Sequence, residues 1–369
     1  MADPRVEKLA DVLVSYSTNV QPGDKVWIQG DAPAAPLIKA VYAKVLQAGG
    51  LPLPQIFLPG MEELFFRYAS EEQIAHVPKP VEMLIETYDV RIGLYADVNT
   101  KELSGVDPSK MVLRSQAMKD LMKTFMERSA AGEFRWVLTV FPTDAYAQDA
   151  EMSLSDYEAF FYGACLPEPD DPVGYWRRFS VWQQRIVDWF KGKKRVHVVG
   201  PETDLRLSID GRVFENSDGR HNMPSGEVFT GPVEDSVEGH VFFSYPAIYQ
   251  GREVTGVRLW FEKGKVVKAT ADKNEEFLLQ TIDTDEGSRY VGEFAIGTNK
   301  GITRFTHQIL FDEKINGSFH MALGAGYPET GSRNKSAIHW DMICDLRDGG
   351  EILVDDELLY KNGEFVVEF

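Results

Sequence analysis

Two periodicities divide the chain. In the first half, short apolar runs alternate with segments whose apolar residues recur every three or four positions. Lys25-Val-Trp-Ile-Gln-Gly30 reads as a strand. From Ala34 to Gln47, Leu37, Ile38, Val41, Tyr42, Val45 and Leu46 fall at helical spacing, and Gly49-Gly50 closes that helix. Leu51–Leu58, Arg91–Ala96 and Phe134–Phe141 predict three more strands. Between the last two, Met111–Arg128 is an amphipathic helix carrying Leu113, Met118, Leu121, Met122 and Phe125. Leu154–Gly163 and Val173–Gly192 predict further helices, separated by the turn-rich Pro167-Glu-Pro-Asp-Asp-Pro172. Strands alternating with helices predict an α/β domain with a mainly parallel sheet and helices on both faces.

From about Arg195 the runs shorten and alternate. Val196–Val199, Leu205–Ile209, His240–Tyr245, Val257–Phe261 and Val266–Thr270 are separated by Asp-Gly, Lys-Gly and Gly-Arg turns, and Lys263-Gly264 marks a hairpin. Only Asn274–Asp283 returns clearly to helix. The expected organisation is an α/β domain over 1–194 and a β-rich α+β domain over 195–369. There is no tandem repeat, but Gly226-Glu-Val-Phe-Thr-Gly231 is echoed by Gly292-Glu-Phe-Ala-Ile-Gly297.

Composition narrows the function classes. Of 369 residues 43% are hydrophobic, with 22 Phe, 14 Tyr and 7 Trp, which is enough for a large core and excludes a disordered chain. Against 57 acidic residues stand 39 basic ones, a net charge of -18, which argues against nucleic acid as a partner because phosphate binding needs clustered Lys and Arg. No apolar stretch reaches the roughly 18–20 residues of a membrane span, and Met1–Thr18 lacks the pattern of a secretory signal. Cys165 and Cys344 stand far apart with no C-x-x-C pair, which excludes a disulfide framework and a thiolate zinc site. A soluble cytoplasmic protein is the expectation.

Several familiar signatures are missing. There is no G-x-x-x-x-G-K-[ST], H-E-x-x-H or G-x-S-x-G. Gly324-Ala-Gly326 lacks the third Gly of a dinucleotide fingerprint and sits in the β-rich half. Asp283-Thr-Asp285-Glu-Gly287 starts like a calcium loop but has Gly at the fifth position and Phe294 at the twelfth.

What remains is a set of hard-ligand residues in Gly-rich surroundings. In Ser336-Ala-Ile-His-Trp-Asp-Met-Ile343 strand alternation turns Ile338, Trp340 and Met342 one way and His339 and Asp341 the other. That pair suits a metal ion or a buried His–Asp hydrogen bond. His320 alone reads as a core histidine or a ligand, and Tyr327 as a core or rim aromatic. Glu227, behind the turn at Pro224, stands ahead of Val228-Phe229, an odd place for a solvated carboxylate. Together Glu227, Glu293, Glu313, His320, His339 and Asp341 supply four carboxylates and two imidazoles with no thiol. Two divalent ions about 3.5–4 Å apart call for this mixture, since carboxylates must offset the repulsion between the ions.

These blocks carry a resemblance. Asp218-Gly-Arg-His-Asn-Met-Pro-Ser-Gly-Glu-Val-Phe-Thr-Gly-Pro232, Gly292-Glu-Phe-Ala-Ile-Gly-Thr-Asn299, Asp312-Glu-Lys-Ile-Asn-Gly-Ser-Phe-His-Met-Ala-Leu-Gly324 and Asn334-Lys-Ser-Ala-Ile-His-Trp-Asp-Met-Ile343 resemble the successive blocks of the M29 metallo-aminopeptidases, the aminopeptidase T, aminopeptidase S and PepS type. Asn19-Val-Gln-Pro-Gly-Asp-Lys-Val26 is similar to that family's opening. The segment between Tyr327 and His339 is shorter than in many members.

The resemblance implies release of N-terminal amino acids from peptides by a dinuclear, metal-activated hydroxide. Its ligands would be Glu227, Glu293, Glu313, His320, His339 and Asp341, holding two divalent ions (Zn, Co or Mn) per subunit. Tyr327 would donate to the developing oxyanion, and Glu227 or Glu293 would carry the proton to the leaving amine. The family also implies a homodimer whose active sites open to an internal cavity. Two other functions fit the same residues: a dinuclear amidohydrolase acting on non-peptide amides, and a non-catalytic peptide-binding protein on the same fold.

Overall fold

Strands and helices alternate in the first half because each apolar run is too short for a helix and each amphipathic segment too long for a strand. The computed structural model describes residues 3–369. Its chain divides into two compact units, Met1–Arg177 with Gly219–Pro224, and Arg178–Asp218 with Ser225–Phe369.

The first unit opens with α1 (Pro4–Asp11), N-capped by the Asp3 side chain, and a π-helical stretch over Val12–Ser17. β1 (Lys25–Asp31), α2 (Ala35–Gln47) and β2 (Leu51–Phe57) follow. Next come α3 (Met61–Tyr68), α4 (Glu71–Ala75), α5 (Lys79–Thr87), β3 (Val90–Tyr95), α6 (Pro108–Ala130) and β4 (Arg135–Val140). α7 (Asp144–Asp149) and α8 (Leu154–Cys165) complete this stretch. All strand pairs are parallel, in the order β2-β1-β3-β4. The helices α1, α3, α4, α5 and α7 lie outside the segments the periodicity singled out. β2 is the edge strand. Its Leu51 amide donates to the Asp24 carbonyl (2.7 Å), so Pro52 and Pro54, one position out of phase, take the outward-facing places where no donor is needed.

α9 (Pro172–Trp189) carries the chain across the division at Arg177. β5 (Arg195–Gly200), β6 (Thr203–Ser208) and β7 (Glu215–Ser217) follow; β8 (Asn222–Met223) belongs to the first unit, where it pairs parallel to β4. Then come β9 (Glu227–Thr230), β10 (Glu238–Phe243), β11 (Ala247–Tyr249), β12 (Arg252–Val254), β13 (Val257–Glu262) and β14 (Lys265–Thr270). After α10 (Glu275–Ile282) the chain continues through β15 (Val291–Gly297), α11 (Ile309–Asp312), β16 (Ser318–Gly324) and β17 (His339–Asp345). β18 (Glu351–Val354), β19 (Glu357–Lys361) and β20 (Glu364–Phe365) end it. Lys263 and Gly264 close the β13–β14 hairpin with positive φ at both residues, 48° and 80°.

Two large antiparallel sheets, β14-β13-β10-β6-β5-β18-β19-β20 and β17-β16-β15-β9-β7, build the second unit, with β11 and β12 as a separate antiparallel pair. Alternation decides what each face does. Phe294, Ile296, Phe319, Met321, Leu323, Trp340 and Met342 enter one core with Val198, Leu205, Val241, Leu259 and Ile352 of the other sheet. The opposite face of the five-stranded sheet carries the polar cluster. Both cysteines are buried and free. No helix among the described residues is long and apolar enough to cross a membrane.

Candidate metal centre

Five of the six expected ligands come from four neighbouring strands. Glu227 opens β9, Glu293 lies in β15 beside a register shift, His320 lies in β16, and His339 and Asp341 lie in β17. Each faces a small residue across the ladder: Glu227 opposite Gly297, His320 opposite Ala295, Glu293 and Asp341 both opposite Ala322, and His339 opposite Gly324. The missing side-chain volume is what lets four carboxylates and two imidazoles converge. Glu313 arrives differently, at the C-terminal end of the short helix α11.

Glycines set the strand entries where the backbone runs against its neighbours. Gly226, at φ 132°, precedes Glu227, and a Cβ there would lie 2.8 Å from the Asn299 Cβ. Gly324, at φ 104°, ends β16; a Cβ would meet the Ile338 carbonyl oxygen at 2.1 Å. The loop into β17 is pinned by Asp285, which accepts from the Ala337 amide (2.6 Å) and the Ser336 hydroxyl (3.1 Å). The acidic run that begins like a calcium loop is thus a structural clamp.

Both histidines are oriented from behind. His320 Nδ1 donates to the Glu313 carbonyl (2.9 Å) and His339 Nδ1 to the Ala325 carbonyl (2.8 Å), leaving each Nε2 turned to the carboxylates. His320 Nε2 lies 3.6 Å from Glu227 Oε2 and 3.6 Å from Glu293 Oε1. His339 Nε2 lies 3.2 Å from Glu293 Oε2 and 3.5 Å from Asp341 Oδ1. Two sets of three donors result, Glu293/His339/Asp341 and Glu313/His320/Asp341, each with one ligand atom per residue within 4.8 Å of the others. Asp341 belongs to both.

The electrostatics are those of crowded opposite charges. Burial disfavours the charged imidazolium of His320, but Glu293 and Glu227 outweigh it and push its pKa up to about 9. For His339 burial is likewise overcome, by Asp341 and Glu293, and the pKa rises to about 12. Burial raises Glu313 to about 7 despite Lys314 beside it. Glu293 and Asp341 are held below the usual carboxylate range; burial opposes this, but their histidine partners prevail. Burial, then the surrounding carboxylates, raise the Tyr327 phenol, so it keeps its proton.

A divalent ion fits this donor set. Glu227 Oε2 and Asp341 Oδ1 are buried without a hydrogen bond, each facing only an imidazole Nε2 at 3.6 and 3.5 Å, so an ion that takes the place of the imidazole protons would satisfy oxygen and nitrogen together. Both imidazoles present the nitrogen a metal needs, and zinc, cobalt and manganese accept this oxygen and nitrogen mixture. Tyr327 sits at the rim, its ring 5.2 Å from that of His339 and 5.4 Å from that of Phe229.

The structure therefore brings all seven expected residues to one place. Lys314 is the residue that sequence reasoning passed over. It is fully buried, with its Nζ 3.5 Å from Glu227 Oε1 and paired to Glu313. In the sequence it is one lysine in Asp312-Glu-Lys314, a run that looks like solvated surface; only its neighbour Glu313 hinted otherwise.

The comparisons with known proteins agree along the whole chain. Aminopeptidase 2 of Geobacillus stearothermophilus is 28% identical over 356 residues, 88% of this chain and 84% of its own. Aminopeptidase PepS of Streptococcus thermophilus is 26% identical, covering 98% of both chains. In fold, the wild-type AmpT structure from Thermus thermophilus superposes with a TM-score of 0.86 at 23% identity, over 98% of this chain and 99% of its own. A 2,5-dihydroxypyridine dioxygenase from Pseudomonas putida KT2440 shares the fold at a TM-score of 0.62 and 15% identity, over 98% and 97% of the two chains. One scaffold thus carries differently named enzymes, so fold alone does not fix the reaction. The sequence pattern is more selective, because the profile of the thermophilic metalloprotease family matches residues 2–365: the chain belongs to the M29 metalloproteases.

Proposed function

We propose that this chain is a metal-dependent aminopeptidase that releases N-terminal residues from peptides with a free N-terminus. The observation that carries the reading is the pair of His–carboxylate donor sets joined at Asp341. Glu227, Glu293, Glu313, His320, His339 and Asp341 would hold two divalent ions of the zinc, cobalt or manganese type. When bound, such a pair activates water and polarises the scissile carbonyl.

The chain's own residues supply the rest. His339 is the most accessible ligand, with 27% of its side chain exposed, against 1% for His320. Substrate therefore approaches from the His339–Tyr327 side. The neutral Tyr327 hydroxyl donates to the oxygen that gains charge in the tetrahedral transition state. Glu293 is held by both imidazoles, whereas Glu227 Oε2 makes no hydrogen bond and has only His320 Nε2 near it, at 3.6 Å; Glu227 Oε2 is the atom suited to carry the proton to the leaving amine. The enzyme works in the cytoplasm as a homodimer. Support for the dimer comes from the edge strand β2, where Leu51, Leu53 and Phe57 are exposed on one face and Ile56 on the other.

A panel of aminoacyl-amides and peptides tests this. Chelation with verified metal removal is expected to abolish hydrolysis, and added cobalt, zinc or manganese to restore it. Blocking the substrate's α-amino group is expected to abolish cleavage. Undiminished activity in the metal-free protein, or efficient cleavage of N-acetylated peptides, would reject the assignment.

A further inference from the structure

Lys314 is the one cation of the cluster that is not an expected ligand, and its ion pairs, to Glu313 and Glu227, lie on one side of it. Its side chain is fully enclosed, which leaves the ammonium no route to solvent. It is paired with Glu313, a donor of the Glu313/His320/Asp341 set, and lies 3.5 Å from Glu227 Oε1. Among the described residues the Glu293/His339/Asp341 set makes no ion pair with a lysine; its ion pairs run between its own members and His320, and Lys314 reaches it only through the field at the shared Asp341. A buried ammonium amid carboxylates cannot be taken away without leaving them uncompensated.

We propose that Lys314 makes the two metal positions unequal, so that the Glu293/His339/Asp341 set fills first and the Glu313/His320/Asp341 set holds its ion far more weakly. The proposal rests on the metal-dependent reading above and adds an order of filling to it. The charge balance gives the reason. Glu227, Glu293, Glu313 and Asp341 bring four negative charges and Lys314 cancels one of them. Counted with both imidazoles neutral, as ligation requires, a first divalent ion leaves the cluster with one negative charge, and a second turns it positive in a largely buried site. Without the lysine the second ion would bring the cluster to neutrality. The second ion must also compete with the ammonium for Glu313 itself.

Titration of the metal-free, full-length protein with Mn2+, followed by calorimetry and by electron paramagnetic resonance, separates the two constants and detects a spin-coupled pair when both positions fill. In the wild type we expect single-ion spectra at one equivalent and a second constant on the order of a hundredfold weaker than the first, the scale of one close charge at intermediate dielectric. Lys314→Met is expected to tighten the second constant by about tenfold or more and leave the first in place, while Lys314→Arg keeps the gap. Equal constants in the wild type overturn the proposal and leave the two-metal reading standing. An unchanged second constant in a folded Lys314→Met protein overturns it as well. Should Lys314→Met misfold, the wild-type titration decides alone. A wild-type protein that binds no Mn2+ removes the metal reading and this proposal together.

Discussion

At the residue scale, the site is a bargain between buried charges, and single substitutions separate the roles. Tyr327→Phe removes one hydroxyl but keeps the ring against His339 and Phe229. We expect kcat to fall about 10²–10³-fold, the cost of one oxyanion donor, with KM, metal content and melting temperature nearly unchanged. His339→Ala should lose metal as well as activity. Steady-state kinetics beside metal analysis distinguishes the two, and a Tyr327→Phe protein with wild-type kcat would make Tyr327 a rim aromatic. Proton balance gives a second prediction. Metal-free His320 and His339 stay protonated up to about 9 and 12, so an entering ion must displace those protons at neutral pH. Affinity for the ion should therefore rise with pH, and calorimetry in buffers of different ionisation enthalpy should report net proton release. In the metal-free protein the raised His320 pKa stabilises the fold below its unfolded value of 6.5, and that contribution is lost as pH rises through about 9. Its melting temperature should drop across that window, while loaded protein should not show the drop.

At the element scale, the four strands β9, β15, β16 and β17 each give one face to the core and one to the metal centre. Ala322 exists in the second role, since Glu293 and Asp341 both face it across the ladder. Ala322→Leu puts a branched side chain between two donor sets whose six ligands are all intact. We expect metal uptake to be lost, with overpacking costing about 1–3 kcal/mol of stability. Metal analysis of folded Ala322→Leu protein checks this; full occupancy would mean that the spacing of the ligands does not depend on small residues opposite them. Trp340 shows the other face. It is fully buried and stacked on Tyr249 at 5.3 Å, so Trp340→Ala should cost about 3–5 kcal/mol in chemical denaturation without removing any ligand.

At the scale of the whole molecule, the prolines of β2 bear on how two copies could meet. Pro52 and Pro54 deprive the outer edge of donors, which disfavours pairing through an added strand. A dimer through this region would rest on side chains, among them Leu53 and Ile56, 40% and 47% exposed. Light scattering on a sizing column is expected to give twice the chain mass for the wild type and the monomer mass for Leu53→Asp/Ile56→Asp. Because both residues are exposed, the double variant should fold normally. A dimer that survives it would place the interface elsewhere.

Much of this protein could be read in its sequence, because local periodicity is a local property. The strands at Lys25, Leu51, Arg91 and Phe134, the long helix over Met111–Arg128 and the Lys263-Gly264 hairpin depend on neighbours within a few residues, and all of them form. So does the alternation that parts His339 and Asp341 from Trp340 and Met342, since a strand has no other way to place them. The short helices α4 and α7, of five and six residues, were silent, being too brief to show a period. Convergence was silent as well. Residues 227, 293, 320 and 341 meet only because β9, β15, β16 and β17 lie side by side, and strand order is not written in any one strand. Lys314 makes the same point most sharply. Lysine in an acidic run is ordinarily solvated, and only the tertiary structure encloses it completely, beside Glu313 and Glu227 rather than at the surface.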